Sequence, residues 1–553
     1  SDQGMKILGA AIGSFDFMIS FLDTKVTEIE HDMAVVGRMK EHHPQWAVTV
    51  KSIQQRMQYV FRCMPCGDRT HFSDLASRYD DAILSVLQRI AHHHLLSPRA
   101  QLIAFLPQNM GGFGLKSWFE SADAAYLASY LYSATILTTL FPFMKPAFVS
   151  PSTLPATPHT SANPIYIVNS ASFPTNSSPP AVLGAITRLT KCTRNNEATL
   201  RVTNGHSLRQ IQADLSVAVH LTSQASVITQ LRESNDPRSV QHLAHFISQC
   251  HDIYTWSTTP MCPQTTLTNE QCRVAGSKRL LIPITNITTS ISEPIAISCP
   301  MCNVVGKVVP QGVVPGGIDD VDVHGNHSVR CPAFQRVRIK LHDAIKMIWL
   351  GCFRHAGYIT RLEPYGALEG SNKRPDIILT DNDSSVQIFL DVRTCDPLTK
   401  DIVVRCGQTA GLAASHGADL KDKAWLEKVH LQGDQFIPLC HEHPGLIGDE
   451  ALALLHRASK RFSSSAPAQG AFRTYWLQRL HMANTRGTAE IILRKMPSTS
   501  HPSSFGELPS PFSVFDSAHP NPHPVCFPLD LHNVALPTPI LPAQDEVAFG
   551  NLI

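Results

Sequence analysis

Apolar positions divide the chain into helical, irregular and alternating stretches. Phe17, Ile19, Phe21 and Leu22 run into Val26, Ile29, Met33 and Val36 at close to a 3.6-residue spacing, the pattern of one buried helix face. The same period recurs in Ala82, Ile83, Val86, Leu87 and Ile90, in the Ala/Tyr-rich segment 122–132, and in Leu208, Ile211, Leu215, Val219 and Leu221. From 333 to 496, helical spacing alternates with short strand-like runs such as Ile377-Ile378-Leu379 and Phe436–Leu439. Segment 142–180 interleaves nine prolines with Ser and Thr and reads as a linker. The Pro-rich tail, 497–553, has no Lys or Arg and reads as disordered.

Composition refines this picture. A hydrophobic fraction of 43% suffices for buried cores. Charged residues, 17%, fall below the typical ~25%. The net charge of +2 excludes a polybasic protein, but the charge is segregated: residues 1–496 hold all 47 Lys and Arg and 40 of the 45 acids, so they carry +7 and the tail −5. No apolar run is long enough to span a bilayer, so no membrane partner is expected. No signal peptide is readable, and a start at Ser1 reads as a fragment. With 14 Cys in 553 residues, a disulfide scaffold is not expected, and clustered cysteines point first to metal in a reducing compartment.

One such cluster is Cys299-x2-Cys302 followed by His327-x3-Cys331. Each pair chelates from a single turn, and four N/S ligands suit a closed, structural tetrahedral Zn²⁺ site. His324 is a spare ligand. Cys63-x2-Cys66, near His71, lacks a second half and reads as ordinary thiols.

The second candidate is a hairpin. Arg374-Pro375-Asp376 leads one apolar run, and Leu390-Asp391-Val392-Arg393 closes the next. With the turn centred between Asp383 and Ser384, Asp376 falls opposite Asp391, and cross-strand partners lie about 5 Å apart. Two carboxylates that close repel unless a cation intervenes, and Mg²⁺ suits one or two carboxylates plus water and phosphate oxygens. This arrangement resembles the PD-(D/E)xK nucleases. Glu363 is an additional metal-shell carboxylate. Arg393 stands where that pattern prefers Lys, so Lys421, in the helical segment 410–429, is the favoured substitute, with Lys423 beside it. Glu442, beyond the next strand, is placed near the same end. From Arg330 to Arg361, between cluster and hairpin, seven basic residues (Arg330, Arg336, Arg338, Lys340, Lys346, Arg354 and Arg361) outnumber the one acid, Asp343, as a helix tracking a phosphate backbone requires. Tyr79-Asp80-Asp81 reads as helix surface, not a polymerase aspartate pair, and Gly111–Gly114 as a turn.

The order of these motifs is more specific than any of them. Cys299-x2-Cys302, Asp322-Val323-His324-Gly325-Asn326-His327-x3-Cys331, His342-Asp343, Glu363-Pro364, Arg374-Pro375-Asp376 and Leu390-Asp391-Val392-Arg393 with Pro397 resemble the C-terminal region of reverse transcriptase-like proteins of non-long-terminal-repeat retrotransposons that carry a restriction-like endonuclease. Lys421, Phe436-Ile437-Pro438-Leu439, Glu442 and Gly445 continue the resemblance. Lys6–Gly13 is similar to the segment after the palm hairpin of that family, and Pro107-x3-Gly111-Gly112-Phe113-Gly114-Leu115 to its thumb-to-linker region.

The resemblance implies a multidomain chain with a mainly α N-terminal half. Its parts would be a thumb-like helical region at 1–141, the linker at 142–180, a helical linker-like domain at 181–298, a zinc knuckle at 299–331, an α/β restriction-endonuclease-like domain at 332–496, and the tail. It implies nucleic-acid binding and Mg²⁺-dependent nicking of DNA. Asp376 and Asp391 would be metal ligands, Glu363 would assist, and Lys421 or Arg393 would stabilise charge. Partners would be DNA, the element RNA and a polymerase-bearing protein or preceding palm, in the nucleus. No palm aspartates are found in this chain. The alternatives are a catalytically decayed or domesticated nucleic-acid-binding module, and a piece of a complete RNA-directed DNA polymerase.

Overall fold

A hairpin of β1 (Gly4–Ile7) and β2 (Ala10–Gly13) opens the chain, ahead of α1 (Phe15–Val36). Ser14 caps α1 by accepting from the Phe17 amide at 3.3 Å. Phe21, Leu22, Val26, Ile29, Met33 and Val36 form its buried face, as their spacing predicts. Then come α2 (Arg69–Ala91), α3 (Trp118–Leu140), α4 (Leu208–Arg232), α5 (Ser239–Gln249) and α6 (Asn269–Arg279). The computed structural model describes residues 4–141, 165–168, 179–194, 200–203, 206–236, 238–284, 324–331, 334–368, 372–380, 386–443 and 445–494. Cys299, Cys302, most of 142–180 and the whole tail lie outside these.

The helices of 1–141 and those after 181 bury a common core. Leu22, Trp46, Phe61, Leu87 and Trp118 share it with Val227, Phe246 and Trp256. Trp46 Nε1 donates to the Trp256 carbonyl at 2.8 Å, and their rings meet edge to face. The Gly111–Gly114 segment is a turn, with φ of +89° at Gly111 and +77° at Gly114. It seats Phe113 in this core and offers the Gly112 carbonyl to Arg279 Nε at 2.8 Å.

Three expectations change here. Leu221 is exposed, because the buried stripe of α4 runs through Ile211, Leu215, Ala218 and Val219 and leaves position 221 off it. Within the Pro-rich stretch, Ile165–Ile167 pairs antiparallel with Arg201–Thr203, and Val168 is buried against Leu131 and Val182; a short β-branched run between prolines is enough to form a strand. Asp80 faces inward from α2, accepting from Ser117 Oγ and the Trp118 amide, each at 2.8 Å, and so caps the start of α3.

The C-terminal half comprises α7 (Gln335–His355), β3 (Ile359–Leu362), β4 (Ile377–Thr380), β5 (Gln387–Cys395), α8 (Leu412–His430), β6 (Gln435–Glu442), α9 (Asp449–Phe462) and α10 (Ala466–Leu493). The strands form one mixed sheet in the order β3-β4-β5-β6, antiparallel except for the β5–β6 pair. Helix α8 makes the crossover that a parallel pair requires. Ile377, Leu379, Leu390 and Leu439 bury one face against Trp349 and Phe353 of α7, Leu454 of α9 and Leu480 of α10. Ile378, Phe389 and Phe436 bury the other against Trp425 and Val429 of α8. Helix α10 reaches both halves: Met482 joins the N-terminal core, Leu480 and Ile491 the C-terminal one. All described residues fall in one compact unit, Ser1–Met496. The architecture is thus mostly helical, with a small mixed sheet in the C-terminal half. Among the described residues no helix is long and apolar enough to cross a membrane.

Candidate active site

Strand β5 is covered on both faces, so the carboxylate of Asp391 within it has lost most of its water. Such a group needs partners. Ile377 pairs with Leu390 and Thr380 with Gln387, the register that a turn centred at 383/384 demands, so Asp376 and Asp391 are cross-strand neighbours. On the other side Leu362 pairs with Ile377, and the Glu363 amide donates to the Asp376 carbonyl at 3.0 Å. Glu363, Asp376 and Asp391 therefore stand in one row across three adjacent strands. Glu363 has φ of +43°, a left-handed conformation unusual for a residue with a side chain.

Cations meet this row from both sides. Gly417, Lys421 and Trp425 lie four residues apart on α8 and share the face packed on β5. Lys421 Nζ lies 2.6 Å from Asp391 Oδ2, and Trp425 Nε1 donates to the same oxygen at 2.7 Å. From α7, His342 Nε2 lies 3.2 Å from Asp376 Oδ2, and His342 Nδ1 lies 3.3 Å from Asp343 Oδ1. One turn on, Lys346 Nζ contacts Glu363 and Asp343 and lies 3.8 Å from Asp376 Oδ1. Arg374 Nη2 lies 3.0 Å from the second Glu363 oxygen. The Val392 amide donates to Asp376 Oδ2 at 2.7 Å.

Protonation follows from these contacts. Burial, then the neighbouring Asp376, pushes Asp391 up to about 6 against the pull of Lys421. Burial alone would raise Asp376 too, but the His342 and Asp391 hydrogen bonds, the His342 charge and the Val392 amide hold it well below the usual carboxylate range. Burial disfavours the His342 cation, yet Asp376 and Asp343 raise it overall. Below about pH 6 the pair therefore holds a proton on Asp391, and a divalent cation replaces a proton in such a setting of hard oxygen donors. The donor set fits Mg²⁺ held by two carboxylates plus water. Among the described residues no group of three or more His, Cys, Asp or Glu is spaced to hold an ion, Glu363 being drawn to Lys346 and Arg374.

Other expected residues fall elsewhere. Arg393 shares the Asp391 face of β5 but lies by Cys395 and Cys440, where α8 approaches at Gly417. Glu442 is not at the carboxylate row. It is buried, contacting Ser248 of α5 and accepting from the Ala414 amide at 3.0 Å, because β6 continues past Asp391 by four residues before reaching it. Lys346, counted as part of a basic surface helix, is buried; Arg336, Lys340 and Arg354 are exposed, and Arg338 holds the Val329 and Cys331 carbonyls. His327 and Cys331 are buried one turn apart around a short helix, Asn326–Arg330. His324 is buried with its ring 4.6 Å from that of His242.

The sequence reading places neither His342, Lys346 nor Trp425 at the carboxylate row. The signal for the first two was the spacing His342, Asp343, Lys346 on one turn of a helix preceding the hairpin; nothing local marked Trp425. Compared with known protein families and curated proteins, the chain matches none.

Proposed function

We propose that this chain binds nucleic acid and hydrolyses DNA phosphodiesters with a divalent metal, through a restriction-endonuclease-like domain spanning α7 to α10. The observation that carries the reading is the row of Glu363, Asp376 and Asp391 across three strands, with Lys421 on Asp391. Asp376 and Asp391 would hold Mg²⁺, with Glu363 assisting. When bound, the ion would supply Lewis-acid stabilisation of the phosphoryl oxygens and activation of water. Lys421 would keep a fixed cation beside the phosphoryl oxygens on which negative charge develops, supplying stabilisation without reorganisation. His342 meets Asp376, which favours its charged form, and Asp343 orients the ring from behind. Arg374, at the rim, has the planar fork that suits a backbone phosphate. Arg336, Lys340 and Arg354 would track the strand further out.

On this reading the zinc knuckle of Cys299, Cys302, His327 and Cys331 positions nucleic acid. The chain acts in the nucleus as the C-terminal part of a reverse transcriptase-like protein, with the element RNA and a palm-bearing segment or partner. The test is nicking of supercoiled DNA with Mg²⁺. Cleavage is expected, and Asp391→Ala is expected to abolish it; cleavage that persists in that variant would sink the site assignment. A binding-only module is the second reading. It is favoured by one observation: Lys346, Arg374, His342 and Lys421 already balance the carboxylates. Tight, metal-independent DNA binding without nicking would select it.

A further inference from the structure

Tyr365 lies two residues beyond Glu363 with 87% of its surface exposed. One group meets its ring: the Arg374 guanidinium carbon lies 4.6 Å from the ring centroid. The same Arg374 reaches Glu363 at 3.0 Å, so the ring is tied to the end of the carboxylate row through one side chain. With Arg374 over one face, the other remains open to solvent. The neighbouring edge is basic as well as apolar. Strand β3 is the outer strand of the sheet, with Ile359 57% and Leu362 42% exposed; it carries Arg361, and Arg354 donates to its Thr360.

An exposed, pre-positioned aromatic ring backed by a guanidinium and bordered by arginines matches one chemistry closely. It offers a π face to a flat heterocycle and positive charge to the phosphates on either side of it. A paired base inside a duplex has both faces stacked on its neighbours and is not available; an unpaired one is. We propose that Tyr365 is the stacking platform for an unpaired base of a DNA strand entering the carboxylate row, which makes locally single-stranded DNA the preferred ligand. The link to cleavage rests on the nuclease reading above; the platform itself does not. The Arg374 contact favours an orientation of the ring that leaves the opposite face available for stacking, which lessens the side-chain freedom lost on binding.

The experiment is a titration of the full chain into oligonucleotides carrying 2-aminopurine, with Ca²⁺ in place of Mg²⁺ so that binding is read without turnover. Fluorescence quenching is expected when the probe is unpaired and not when it lies in intact duplex. Tyr365→Ala should weaken single-strand binding roughly tenfold, the order of one lost base stack, and leave duplex binding unchanged. Tyr365→Phe and Tyr365→Trp should restore it, since both keep a π face. Equal affinity of Tyr365→Ala for single strands, equal loss on single strands and duplex, or failure of Tyr365→Phe would each overturn the proposal. If quenching depends on Tyr365 but no DNA is cut in Mg²⁺, the nuclease reading fails and the platform stands. If DNA is cut with no Tyr365 dependence of binding, the reverse holds.

Discussion

Gly417 is where helix α8 comes closest to strand β5, and its replacement by alanine tests how Lys421 reaches Asp391. A Cβ at Gly417 would lie 2.4 Å from Cys395 Sγ, 3.2 Å from Arg393 Cδ and 3.3 Å from Cys440 Sγ. Both sulfurs are buried in one apolar cluster, so neither has open space to move into. Gly417→Ala gains about 1 kcal/mol of helix propensity. Against this, forcing a methyl into a packed interior costs about 1–3 kcal/mol, and a contact this short belongs at the upper end. The net expectation is a loss of about 1–2 kcal/mol. Gly470, in α10, is the control: a Cβ there meets nothing within 4 Å. Gly470→Ala should therefore gain up to about 1 kcal/mol. Urea midpoints of the full chain, compared at unchanged m-value, read both effects. Lys421 and Trp425 ride on the same helix face one and two turns on, so a displaced α8 also draws Lys421 from Asp391. A misplacement of about 1 Å is worth about 10²-fold in rate, and nicking by Gly417→Ala should fall accordingly. If Gly417→Ala stabilises as Gly470→Ala does, the close packing of α8 on β5 is refuted, and the placement of Lys421 with it.

Four further outcomes are expected. Asp391 is raised to about 6 by burial and Asp376, so it is neutral at lower pH; nicking at limiting Mg²⁺ should rise through about pH 6, and more Mg²⁺ should move that midpoint down, since metal and proton compete. A midpoint indifferent to Mg²⁺ would remove Asp391 from the metal shell. In the metal-free protein, a carboxyl raised on folding contributes stability below its unfolded value that is lost as pH climbs through about 6, which denaturation midpoints between pH 4 and 7 of wild type against Asp391→Asn will show. Glu442, whose carboxyl is pushed up by burial, should tolerate Glu442→Gln with only a modest fall in melting temperature and unchanged nicking; a catalytic defect at full folding would return it to the site. Elemental analysis should find one Zn²⁺ per chain, lost together with thermal stability in Cys331→Ser, and a zinc-free wild-type protein of unchanged stability would dispose of the knuckle.

The carboxylate pair was legible in the sequence because a hairpin's turn fixes its register, and register fixes which side chains face each other. Ile377 opposite Leu390 follows from counting outward from Asp383 and Ser384. Lys421 was legible as the favoured of two nearby lysines, and helix periodicity separates them: Lys421 shares a face with Gly417 and Trp425 while Lys423 is exposed. Lys346 was misjudged because composition counts charge without direction. In a helix buried along one stripe, a lysine on that stripe meets the interior whatever its neighbours are. Glu442 was misjudged because the sequence does not state that β6 runs parallel to β5, and a parallel strand carries its far end beyond the row. The shared helical core escaped for a related reason: period and spacing define each helix's buried face but not which helix will cover it.

Helix α10 gives the two halves of the chain a common fate. Because Met482 completes the core around Trp46 and Trp256 while Leu480 and Ile491 complete the one beneath the sheet, the sheet with its carboxylates is not a cassette that can be lifted out at a boundary. A truncation that keeps 332–496 alone would leave the Met482 side of α10 bare, and one that stops before α10 would open both cores at once. Insertions in the connecting segments, by contrast, leave both cores untouched and cost little.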